Sequence, residues 1–234
     1  MAPQRYALFV NPHAGRGTAS RLGAQVAHLL AAAGRTCEVV VSKTAEAACA
    51  RARALPDDIA IVAVGGDGTL SALLPAVVGN GRYFGAVPAG RGNDLAYALK
   101  WRAATSEAAA ARLQREPRAI DVLRVHVTTG EGCLERFSLN GLGMGLDAQV
   151  TALAARVPTS FGGFGQYAIG ALLALHELHA HRLQVSVDGA SVFSGPSFLV
   201  AVMNGTRYGG GFHISPQSLL SDGQADVLIG KQVG

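Results

Sequence analysis

Apolar residues in the first half of the chain come in short unbroken runs, separated by longer stretches with helical spacing. Segments 5–10, 36–41, 59–64 and 84–87 read as strands, and the β-branched run 59–64 as a parallel strand buried on both faces. Between and after them, 19–33, 44–54, 69–79, 93–100 and 105–115 read as helices. The first of these, Ala19 to Ala33, is a strong helix former ended by Gly34. This strand–helix rhythm predicts a parallel sheet covered on both sides. The pattern changes after Pro117. Segments 119–127, 133–139, 182–188, 192–202 and 225–230 read as strands, several with period-2 alternation and with turn pairs such as Thr129-Gly130 and Asp188-Gly189. One helix is expected near 164–180. The expected class is therefore α/β, with an α/β domain over 1–120 and a β-rich domain over 121–234.

The chemistry-bearing residues gather where the strands end. Ile59 to Val64 runs into Gly65-Gly66-Asp67-Gly68-Thr69. Glycine lets the backbone turn sharply and approach a ligand closely, and Thr69 can cap a helix over Leu70 to Val78 whose N-terminus attracts an anion. Asp67 would repel a bare phosphate, so it implies a bridging Mg²⁺ or a hydroxyl to polarise. The plainer alternative is a tight strand-to-helix turn in which Asp67 only caps. A second junction, Pro88-Ala89-Gly90-Arg91-Gly92-Asn93-Asp94, follows Phe84 to Val87, and a third, Asn11-Pro12-His13-Ala14-Gly15-Arg16-Gly17, follows Tyr6 to Val10. Asn93 can bind a sugar or base, and Asp94 a ribose hydroxyl or, through water, a cation. All three loops are expected side by side at the carboxyl edge of one sheet, where open α/β sheets bind ligands.

In order and spacing, NPHAGRG, GGDGT and PAGRGND resemble the diacylglycerol kinase catalytic-domain family, which groups bacterial lipid kinases with eukaryotic diacylglycerol, ceramide and sphingosine kinases. Asn140-Gly141-Leu142-Gly143-Met144-Gly145-Leu146-Asp147-Ala148 and Asn204-Gly205-Thr206-Arg207-Tyr208-Gly209-Gly210-Gly211, followed by Ser215-Pro216 and Ser221-Asp222-Gly223, continue the likeness. GGDGT alone is shared with NAD kinases and phosphofructokinases. The resemblance implies a nucleotide-binding α/β domain, a β-sandwich, and ATP-dependent phosphorylation of a lipid hydroxyl with Mg²⁺. Motif by motif, it implies nucleotide contacts at Asn11, Ser42, Gly66, Asp67, Gly68, Thr69 and Asn93, to which the chemistry of Asp94 adds a further candidate contact. Arg91 stands where the family commonly has Ser or Thr; it can pair with a phosphate or point to solvent. Asp67 is the candidate catalytic residue. A structural metal is implied at Asp222 with the carbonyls of Leu219 and Gln224, oxygen ligands that suit Mg²⁺ or Ca²⁺. Family members generally continue past the position of Gly234, into a segment whose Asp, in an Asp-Gly-Glu context, serves as general base. The sequence given stops short of that segment, and Asp188-Gly189-Ala190 lacks its Glu.

Composition narrows the alternatives. With 49% hydrophobic and 15% charged residues, the 234-residue chain can bury cores and is not a disordered polymer. Its formal charge of +4 favours nucleotides or an anionic membrane surface. No Lys/Arg run interleaved with aromatics points to nucleic acid. Cys37, Cys49 and Cys133 form no CxxC pair and Tyr6 to Val10 is too short for a signal-peptide core, so a reduced, cytoplasmic setting is expected. The uncharged stretch Val157 to Leu175 is broken by glycines, Pro158 and Gln166, which argues against a membrane span. Action on lipid would then be peripheral, at the inner membrane surface. Phe161, Phe164, Tyr167 and Ile169 are candidates for lipid contact or for a core helix, and a homodimer is left open. His176, His179 and His181 lack the carboxylate or Cys partners of a zinc site, and no GxSxG elbow marks a serine hydrolase. Besides lipid phosphorylation, nucleotide binding without turnover and an NAD kinase-like activity remain as alternatives.

Overall fold

The apolar runs form strands in the computed structural model, which describes residues 2–90, 92–101, 105–176, 179–209 and 211–231, without the side chains of Thr159 and Phe164. Arg91 therefore lies outside the described residues. β1 (Arg5–Val10) leads through a 3-10 turn into α1 (Thr18–Ala32), then β2 (Thr36–Val41), α2 (Ala45–Arg53) and β3 (Ile59–Gly65). Next come α3 (Asp67–Leu73), β4 (Phe84–Pro88), α4 (Asp94–Ala98) and α5 (Ser106–Leu113). The four strands pair in parallel in the order β2-β1-β3-β4. Parallel pairing brings all four carboxyl ends to one edge. Leu8, Val10, Val62 and Val64 pack with Val26 and Leu30 of α1 and Ala109 and Ala110 of α5 in one buried cluster. Their out-of-phase neighbours Phe9 and Ile61, also buried, point to the opposite face.

Arg82 ties the lower loops together. Its side chain is only 3% exposed and donates to the carbonyls of Ala52 and Leu55 while pairing with Asp57. An antiparallel hairpin, β5 (Leu123–Thr129) and β6 (Gly132–Ser138), completes this part of the chain. Two compact units result, Met1–Leu139 and Asn140–Gly234. The composition change near residue 120 thus marks the start of the hairpin, not the limit of the first compact unit.

The second unit is β-rich. β7 (Gly141–Gly145) is followed by α6 (Leu146–Ala154), α7 (Gly162–His176), β8 (His181–Val187) and β9 (Ala190–Met203). β10 (Arg207–Tyr208) and β11 (Phe212–His213) form a small ladder, and β12 (Asp226–Lys231) ends the described chain. The 14-residue β9 organises this unit. Its first half pairs with β8, and its second half lies between β7 and β12, all antiparallel. Neither β7, with glycine at alternate positions, nor α6 was expected from the sequence, since Gly-Leu-Gly-Met-Gly carries little strand propensity. Gly170 lets α7 pack tightly on α6: a Cβ there would sit 2.8 Å from the Val150 carbonyl oxygen and the Ala154 nitrogen. The inner side of α7 is Gln166, Gly170 and Ala174, while Phe161, Leu172, Leu173 and Leu175 are exposed. Among the described residues, no helix is long and apolar enough to cross a membrane.

Leu8 is fully buried in the first unit's core. Leu8→Ala should therefore lower unfolding free energy by about 2–5 kcal/mol, measured by urea titration of far-UV circular dichroism. A loss below about 0.5 kcal/mol, the scale of a surface change, would contradict this packing.

Candidate functional site

Asn11, Ser42, Gly66 and Ala89 each follow the last residue of a parallel strand, so the loops bearing the three glycine motifs share one edge. Closeness there is extreme. A Cβ on Gly90 would run into the Gly66 Cα and come within 2.8 Å of the Asn93 Oδ1. Gly15, at φ +58°, is held equally closely, since a Cβ would lie 2.6 Å from the Ala89 carbonyl oxygen. The three loops therefore pack as one body, backbone against backbone.

Asp67 is the hub of this body. It opens α3, and its carboxylate reaches across to the start of α4: the Asp94 N–H donates to Oδ2 at 3.2 Å and the Leu95 N–H to Oδ1 at 3.3 Å. These bonds satisfy donors that a helix start leaves without partners. Asp67 thus caps a helix, but a different one from its own. Thr69 does not cap. Gly66 is the N-cap residue of α3, and its carbonyl accepts from the N–H groups of Thr69 and Leu70. The helix also ends early, at Leu73, and passes into a 3-10 turn containing Pro75.

Asn93 takes the left-handed conformation at φ +54°. Its amide closes its own loop, with Oδ1 accepting from the Gly90 N–H and Nδ2 donating to the Gly90 carbonyl, both at 2.9 Å. Its sequence-based assignment to a sugar or base therefore competes with a structural use. Asp94 is buried at the head of α4.

Beside this hub lies a cavity of about 130 Å³, lined by Asn11, Ser42, Lys43, Thr44, Gly68 and Thr69 among others. Asn11 Nδ2 donates to the Thr69 hydroxyl at 3.3 Å, and Asn11 Oδ1 accepts from the His13 N–H at 3.0 Å. Thr44 caps α2 through the Ala47 N–H. Lys43 was missed from sequence, though a cation next to Ser42 at a strand's carboxyl end was the available signal. The structure thus gathers Asn11, Ser42, Gly68 and Thr69 around the cavity, with Asp67 and Gly66 adjoining and Asn93 and Asp94 on the neighbouring loop. Asp222, Leu219 and Gln224 belong to the second unit, in an exposed turn where Asp222 Oδ1 accepts the Gln224 N–H at 3.1 Å.

The second unit's two signature segments also meet. The Asn140 carbonyl accepts from the N–H groups of Asn204 and Gly205, and Asn140 Nδ2 donates to the Arg207 carbonyl. Asp147, at the head of α6, is hydrogen-bonded to Tyr208. Burial raises the Asp147 carboxyl above its ordinary value despite that bond, and burial followed by the charge of Asp147 raises the Tyr208 phenol.

The sequence model of the diacylglycerol kinase catalytic domain matches residues 5–125. The chain belongs to that family. Residues 141–234 match the YegS C-terminal NAD kinase beta sandwich-like domain, which agrees with the β-rich second unit. A Stenotrophomonas maltophilia protein named "Probable lipid kinase YegS-like" is 29% identical over 175 residues, 72% of this chain and 55% of that protein. A Xanthomonas euvesicatoria protein of the same name is 30% identical over 183 residues, with the same coverage. The chain spans about half the length of the curated relatives it matches. In fold, it resembles a crystal structure of a diacylglycerol kinase from Bacillus anthracis, at TM-score 0.69 and 24% identity, covering 97% of this chain and 74% of that one. A second structure from that organism gives TM-score 0.74 at 23% identity, covering 99% and 77%.

Gly90→Ala should displace the Gly66 loop and cost about 1–3 kcal/mol, as overpacking does. Thermal melting beside Gly130→Ala, where a Cβ meets nothing within 4 Å, isolates the effect. Equal melting temperatures would show that the loops are not in contact.

Proposed function

We propose that the chain binds ATP at the carboxyl edge of the parallel sheet and transfers its γ-phosphoryl group to a hydroxyl of a diacylglycerol-like or related lipid. The observation carrying this reading is the joining of the three glycine loops around Asp67 beside the Asn11–Thr69 cavity, in a member of the diacylglycerol kinase catalytic-domain family. At about 130 Å³ the cavity is smaller than the roughly 300–1,000 Å³ of a site that encloses a whole ligand. It therefore takes one end of the nucleotide, and Asn11, Ser42, Lys43 and Thr69 are polar groups of a largely apolar lining that would meet the phosphates.

Phosphoryl transfer asks for positioning and charge neutralisation more than for covalent chemistry. Lys43 supplies positive charge, and Asn11, Ser42 and Thr69 supply hydrogen bonds to phosphate oxygens. Among the described residues, no three His, Cys, Asp or Glu side chains group as a metal cage. Mg²⁺ commonly binds through one or two carboxylates plus substrate phosphates and water. Asp67 is the carboxylate placed to hold it or to orient the acceptor hydroxyl. Once bound, the metal neutralises phosphate charge.

Asp67→Asn should lower kcat by about 10²–10⁴-fold and keep the fold, because the amide oxygen still accepts from one of the two N–H groups at the head of α4. The assay is label transfer from radiolabelled Mg-ATP to diacylglycerol, ceramide, sphingosine and phosphatidylglycerol in mixed micelles. Full activity in the variant removes Asp67 from the chemistry. Nucleotide binding by the parent without labelled lipid favours the binding-only reading, in which Asp67 is a cap alone.

By the same resemblance, the turn at Asp222 holds a structural Mg²⁺ or Ca²⁺ with the carbonyls of Leu219 and Gln224. One Asp222 oxygen is engaged by the Gln224 N–H, and the other makes no hydrogen bond among the described residues. At a cation concentration a hundred times Kd, occupancy adds about 2.7 kcal/mol to stability. EDTA should then lower the melting temperature of the parent and leave Asp222→Ala unmoved; equal responses would discredit the site.

A further inference from the structure

A second cavity in the first unit has a different character. It holds about 610 Å³, within the roughly 300–1,000 Å³ typical of ligand sites, and shares no lining residue with the cavity beside Thr69. It runs along β4, an edge strand, under α4 and α5. Its apolar wall includes Val62, Leu70, Leu95, Leu99, Leu113 and Ile120. The charged lining is one-sided: Lys100, Arg112, Arg115 and Arg118 against Glu116, four cations to one anion.

Arg112 focuses the argument. Its guanidinium stacks on Trp101, 4.5 Å from the ring centre. Its Nη1 is closed to solvent and has no hydrogen-bond partner among the described residues. Burial, and then the adjacent charge of Arg115, hold the guanidinium below its ordinary pKa. An anion in the cavity would offset the adjacent positive charges of Arg112 and Arg115, and the apolar wall would take a hydrocarbon chain attached to it.

We propose that this cavity binds a single-chain anionic amphiphile, with its chain against Leu70, Leu95 and Leu99 and its carboxylate or phosphate monoester on Arg112. Lys100, Arg115 and Arg118 complete the charge. Leu95 lines the cavity and also donates its N–H to Asp67 Oδ1 at 3.3 Å. The ligand therefore acts on the helix that Asp67 holds. Binding here needs no phosphoryl transfer, so failure of the kinase reading leaves it standing.

Trp101 is the single tryptophan of the 234-residue chain, and it reports the site directly. The experiment titrates the chain with lauric acid, lauroyl lysophosphatidate, neutral monolaurin and inorganic phosphate, below the micelle concentration of each amphiphile, and reads tryptophan emission. Saturable changes are expected with one or both anionic amphiphiles, and their ratio identifies the head group. Arg112→Gln should weaken binding about tenfold or more, a loss of about 1.4 kcal/mol. Arg118→Gln, at an exposed position, should weaken it less while keeping the parent's melting temperature; it decides the matter if Arg112→Gln does not fold. The proposal fails if no amphiphile gives a saturable change, if monolaurin matches the anions, or if every folded Arg variant binds like the parent.

Discussion

Adjacent strands of a sheet lie only about 4.8 Å apart, and the chains leaving the ends of β3 and β4 must pass each other in that space. At Gly66 and Gly90 they do so with backbones in contact, where one added methyl group would collide. Much of the first unit's carboxyl edge follows from this constraint. With Gly90 pressed against Gly66, the chain has to turn away at once, and Asn93 makes the turn in the left-handed conformation while its amide binds both polar groups of Gly90. That turn aims the first N–H groups of α4 at Asp67. Gly15 against the Ala89 carbonyl adds the third loop. Three motifs separated along the sequence thus become one packed object.

Much of this arrangement was legible in the sequence. Four apolar-rich runs gave the parallel strands nearly to the residue, most plainly β3, which is buried on both faces and shows it as an unbroken run. Glycines, Asn and Asp at the ends of those runs located the edge. What escaped were contacts between distant positions. Nothing local to Asp67 tells that its carboxylate caps a helix starting 27 residues later, and nothing local to Asn93 tells that its amide is engaged by Gly90. β7 escaped for the opposite reason: its glycines hide a strand that exists only because β9 pairs with it. The hairpin at 123–138 read as part of the second domain because composition records strand character, not the unit with which a strand packs.

Asp67 need not choose between holding α4 and serving chemistry. An ionised carboxylate offers about four lone-pair sites, and the two N–H donors of α4 use two of them. Those bonds fix the carboxyl plane, so that its remaining lone pairs keep one direction. A group that must meet a cation or a hydroxyl benefits from being fixed beforehand, because no orientational freedom is then lost when the partner arrives. The structural use and the proposed chemical use are thus two consequences of one geometry.

The largest cavity commonly marks the binding site, yet here the larger of the two lies away from the motif loops, and the smaller borders them. Size alone would have pointed away from the cavity that the motif loops border, and the motifs alone would have passed over Arg112. What connects the two places is α4, a helix of five residues. A helix that short is unstable by itself, so its position is set by what grips it. At its head that grip is the Asp67 carboxylate, and along its side it is the wall to which Leu95 belongs. Both holds therefore bear on the same short helix.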